Sequence, residues 1–118
     1  MYSGYIIQTS THSNFSLATE SDLVLDTAEN LTQIGTWAQN NFVKEQPRIE
    51  LFLRLTRKNL NALLRFPICD SFDGGFQKFS HSFGRLEKQY VAGITNHSAW
   101  ANHMLSWGTT LTQRVKLI

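Results

Sequence analysis

The segment between the chain's two prolines, Pro47 and Pro67, most constrains the fold. Within it Ile49, Phe52, Leu53, Thr56, Leu60, Leu63 and Leu64 recur at three- and four-residue steps. That period lays them on one face of an α-helix, whereas a half-buried strand needs alternation. Proline is tolerated in a first helical turn, and the residue before a proline avoids the α region. The spacing therefore predicts a helix from Pro47 to Phe66, the strongest in the chain. Leu51 and Leu55 widen its apolar surface beyond one stripe.

Three further helices follow from the same reading. From about Ser21 to Asn41, Val24, Ala28, Leu31, Ile34 or Gly35, Ala38 and Phe42 share a face. Thr19 or Ser21 can cap that helix, and Glu20, Asp22 and Asp26 suit the positive end of its dipole. Gly35 weakens its middle by up to about 1 kcal/mol relative to alanine. Ile68 to Gly75 reads as a turn-rich loop. From Gly75 to Gly93, Phe76, Phe79, Phe83, Leu86, Tyr90 and Ile94 alternate by three and four, and Gly93 is a candidate C-cap. Asn96 can cap a last helix carrying Trp100, Met104, Trp107, Leu111 and Val115, with Gly108 a point where it could kink or end.

Short loops between long amphipathic helices favour antiparallel neighbours. The expected fold is all-α, a small antiparallel bundle of about four helices. Residues 1–19 are rich in Ser, Thr, Asn and Gln and read as a flexible N-terminal segment, leaving 20–118 as the bundle domain.

A chain of 118 residues with 42% hydrophobic and 17% charged side chains has the makings of one globular domain with one core. Its single cysteine, Cys69, excludes an internal disulfide and a four-cysteine zinc site. With no secretory leader legible at Met1–Ile7 and no long apolar run, the expected setting is the cytoplasm, without a membrane span.

Charge is distributed unevenly. Residues 1–43 hold Glu20, Asp22, Asp26 and Glu29 but no lysine or arginine, so all eleven basic residues fall after them. Between Leu51 and Phe66 stand Arg54, Arg57, Lys58 and Arg65, with no acid. Arg54, Lys58, Asn61 and Arg65 step by four, three and four along the side away from the core, with Arg57 beside them. Lys78, His81, Arg85 and Lys88 step by three, four and three along the next helix. If the two helices are antiparallel neighbours, both stripes can border one groove. Such a double track suits a phosphate backbone, because each cation on a phosphate releases a condensed counterion. Arginine adds a planar fork for bidentate contact. A solvated polar face is the plainer explanation, but solubilising faces usually mix both signs.

Other chemistry finds little support. His12, His81, His97 and His103 include no pair at i, i+4, so neither a metal site nor another cofactor is expected. Carboxylates near Cys69, Asp70 and Asp73, would raise its thiol pKa rather than activate it. Asp73-Gly74-Gly75 lacks the phosphate-loop pattern and is better read as a helix cap. His103 and Ser106 share a face without a nearby orienting acid. The aromatic residues keep helical spacing and read as core, with Trp37 the best candidate for an interface anchor.

The expected function is non-enzymatic: a nucleic-acid-binding or ribonucleoprotein-assembly subunit, taking RNA or DNA by its backbone without reading sequence. Other protein subunits are expected partners, and no small-molecule substrate is evident. The alternative is a protein-interaction module, forming a homo-oligomer or docking on a larger partner. In shape and charge such a bundle is similar to the small helical subunits of CRISPR effector complexes, a likeness that implies a role in lining nucleic acid.

Overall fold

The computed structural model describes the backbone of residues 12–65 and 75–117, with side chains from 20 to 65 and from 76 to 115. The described residues form three helices: α1 (His12–Leu63), α2 (Gly75–Ala92) and α3 (His97–Leu117). The all-α class is as expected, but the count is three rather than about four. The two helices expected before and after Pro47 are one element, broken at Asn41 alone.

Asn41 has extended backbone (φ −162°, ψ 81°), and the chain doubles back there. The two limbs, 12–40 and 42–63, run antiparallel, as their contacts show. Trp37 meets Phe52 edge-on, with ring centroids 4.9 Å apart, and farther along Asn59 donates from Nδ2 to Asp26 Oδ2 at 2.9 Å. The Asn41 Oδ1 accepts from the Lys44 N–H at 3.2 Å, an N-cap bond for the second limb. That cap moves the start of the helix upstream of Pro47, which lies inside it. Proline there removes the bond to the Val43 carbonyl, but Val43 is 72% exposed and water can replace the missing donor. α1 also begins earlier than the expected start near Ser21.

The two remaining helices match the expected boundaries because their ends carry strong local signals. Gly93 takes a positive φ of 104° and donates to the Gln89 and Tyr90 carbonyls, closing α2. Asn96 caps α3, its Oδ1 accepting from the Ala99 N–H at 3.0 Å. Trp100, buried, ties the two ends together by donating from Nε1 to the Leu86 carbonyl at 3.0 Å.

The core gathers Val24, Leu31 and Ile34 of the first limb, Ile49, Leu60 and Leu63 of the second, Phe76, Phe79 and Phe83 of α2, and Trp100, Met104 and Leu111 of α3. Leu64, expected inside, is 52% exposed, because only one of two adjacent leucines can face the core. α1 and α3 approach closely. Gly35 lies against Leu105 and the Ala101 carbonyl, and Gly108 against Thr32 and the Ala28 carbonyl. Gly108 thus neither kinks nor ends α3. Each glycine costs about 1 kcal/mol in helix propensity, while one fully buried large apolar side chain returns roughly 1.5–3 kcal/mol. Close packing therefore outweighs the local weakness. α2 stands farther from α1, spaced off by its phenylalanines.

Candidate nucleic-acid interface

α2 and the second limb of α1 are antiparallel neighbours, as the groove hypothesis requires. Early on the limb, Glu50 Oε2 accepts from the Tyr90 hydroxyl at 2.8 Å. Later on it, Arg57 reaches back along α2 to Glu87. Phe79, Phe83 and Leu86 bury the opposite side of α2, which turns Lys78, His81, Arg85 and Lys88 outward, and all four are exposed. Thr56, Leu60 and Leu63 do the same for the limb, leaving Arg54, Lys58, Asn61 and Arg65 exposed.

Arg57 belongs to a different class from the other cations. Its guanidinium holds both carboxylate oxygens of Glu87, with Nε to Oε2 at 3.2 Å, and it lies 5.3 Å from the Phe83 ring centroid. It also donates to Asn61 Oδ1 at 3.4 Å. A half-buried arginine held this way joins two helices, and its charge is already answered. Arg54, Lys58, Arg65, Lys78, Arg85 and Lys88 make no ion pair among the described residues. The acids of the first limb do not neutralise them; Asp26 binds Asn59 instead.

A cleft lies between these two helices, but the α2 stripe does not line it. A seam of about 340 Å³ runs between the helices, lined by Glu50, Leu53, Arg54, Arg57, Glu87, Tyr90 and Val91. Arg54 borders it. Arg85 instead lines a smaller hollow with His103 and Trp107, on the α3 side of α2, and lies 3.5 Å from Ser82 Oγ. Arg54 of the first stripe borders this seam, which contains two carboxylates, while the α2 stripe is exposed on its own helix without lining it. Burial, then the hydrogen bond to Glu50 and that residue's charge, pushes the Tyr90 phenol up to about 12.

Other residues take structural places. Phe76, Phe79, Phe83 and Trp100 are buried, as helical spacing predicts. Trp37 is half-buried, with the Arg48 guanidinium 5.7 Å over its ring. His97 stacks on Phe42 at 4.0 Å between centroids. Asn30 Nδ2 and Thr56 Oγ1 are buried without a hydrogen-bond partner, a feature that spacing alone did not mark. Among the described residues no group of three or more His, Cys, Asp or Glu is placed to hold a metal ion, and no helix is long and apolar enough to cross a membrane. Cys69, Phe72 and Asp73 lie outside the described residues, as do residues 1–11.

No protein-family model matches the chain, and the comparisons with curated proteins and with solved structures returned no match.

Proposed function

We propose that this protein is a non-catalytic nucleic-acid-binding subunit that holds a phosphate backbone on the outer face of α2 and the second limb of α1. The observation that carries this reading is the set of six exposed cations on two antiparallel helices, Arg54, Lys58, Arg65, Lys78, Arg85 and Lys88, with no acid paired to them among the described residues. His81, on the same face, adds a donor when protonated. Phosphate contacts of this kind position a nucleic acid without reading its bases.

A ribonucleoprotein subunit also needs a protein contact. Leu51 and Leu55 are 44% and 38% exposed and continue at four- and three-residue steps into Lys58. This apolar edge beside the basic face supports docking onto another protein subunit. It is also what favours a pure adaptor as the second reading.

Fluorescence anisotropy of a labelled oligonucleotide across a salt series tests the proposal. With about five phosphate contacts, the log-log salt slope is expected at roughly −3.5 to −4.5, depending on strandedness. Replacing Arg54, Lys58 and Arg85 with alanine is expected to weaken binding equally for unrelated sequences. A flat salt response rejects the reading. Light scattering with and without nucleic acid separates it from the adaptor, which would self-associate or capture protein alone.

A further inference from the structure

We infer that the seam between the second limb of α1 and α2 receives an unpaired nucleobase, so that the nucleic acid bound is single-stranded. This rests on the backbone-binding reading above and adds the strandedness of the ligand.

The seam and the tracks beside it have opposite preferences. The tracks are cationic and exposed. The seam holds Glu50 and Glu87, which repel a phosphate but accept hydrogen bonds from the N–H groups on base edges. A strand lying along this face therefore keeps its phosphates on Arg54, Lys58 and Lys88 and turns a base inward. Glu87 is already engaged by Arg57, whereas Glu50 is exposed and spends Oε2 on Tyr90, leaving Oε1 as an acceptor at the seam.

The rest of the lining suits the flat faces of a base. Leu53 and Val91 supply apolar surface, and Val91 is 86% exposed at the lip. Tyr90 supplies a ring held on two sides, 5.9 Å from Trp100 and 5.9 Å from Phe42 between centroids. The part of this ring that lines the seam offers a base an aromatic contact already fixed by packing. A duplex cannot use the seam. Its bases are stacked inward, and their edges are reached by a protein element that enters a groove, not by a cleft between two helices.

The test compares three labelled probes of equal length on the full chain: a mixed-sequence single strand, an abasic strand with the same phosphates, and a blunt duplex. At one ionic strength the single strand is expected to bind at least tenfold tighter than either of the others. A strand carrying 5-bromouracil is expected to photocross-link within the peptide that contains Tyr90. Equal affinity for all three probes overturns the inference while leaving backbone binding intact. Absence of binding to any probe at low salt overturns both.

Discussion

Gly35 of α1 and Leu105 of α3 leave no room for a side-chain atom between them: a Cβ on Gly35 would lie 2.6 Å from the Leu105 Cγ. The Ala101 carbonyl oxygen, 2.9 Å away, is backbone and cannot rotate aside. Gly108 is confined in the same way by Thr32 Oγ1 at 2.6 Å and the Ala28 carbonyl at 3.0 Å. Gly35→Ala and Gly108→Ala are expected to destabilise by about 1–3 kcal/mol, the usual cost of overpacking, in spite of better helix propensity. Gly84, within α2, has nothing within 4 Å of the same position. Gly84→Ala is expected to stabilise by about 0.5–1 kcal/mol. Urea denaturation of the three variants checks the signs, and a stabilised Gly35→Ala would disprove the close approach.

These glycines also show where a sequence stops being legible. The ends of α2 and α3 could be read because Gly93 and Asn96 act on their immediate neighbours, through a positive φ and a side-chain cap. The core faces could be read because burial follows helical period. Gly35 reads as a weakness in isolation, since its purpose lies in a helix far along the chain. The end of the first limb at Asn41 agrees with the reading of the helical period. The immediate restart after it was not legible, because Asn40-Asn41-Phe42 contains no glycine or proline and Pro47 offers a stronger but misplaced start signal. In the candidate site, the outward stripes followed from spacing. Arg57 did not, because its partner Glu87 sits on another helix.

Arg57 and its neighbour Lys58 are expected to separate stability from binding. Arg57→Gln leaves Glu87 without its partner in a half-buried seam and is expected to cost on the order of 1 kcal/mol. Comparison with Glu87→Gln and the double variant isolates the coupling. Lys58→Gln is expected to leave the denaturation midpoint nearly unchanged and to weaken oligonucleotide binding more than Arg57→Gln does. The reverse ranking in paired denaturation and anisotropy measurements would contradict the division of roles.

Tyr90 is expected to make stability depend on pH at the alkaline end. Its phenol rises from 10.0 to about 12, chiefly through burial and then through Glu50. A raised folded-state pKa contributes stability that is fully present below the unfolded value near 10 and is lost as the pH rises through about 12. The stability difference between the native protein and Tyr90→Phe is therefore expected to be largest below pH 10 and to shrink toward pH 12. Denaturant midpoints collected across that window check it, and a constant gap would remove Glu50 and burial as the cause.

Because α1 reverses on Asn41 alone, giving that residue helical dihedrals converts its 52 residues into a single rod. At 1.5 Å per residue such a rod is about 78 Å long, well past the 48 Å longest dimension of the folded chain. Two chains straightened in this way would regain the Trp37–Phe52 and Asp26–Asn59 contacts only by exchanging limbs. The cap bond from Asn41 to Lys44 favours the reversal that lets one chain make those contacts by itself.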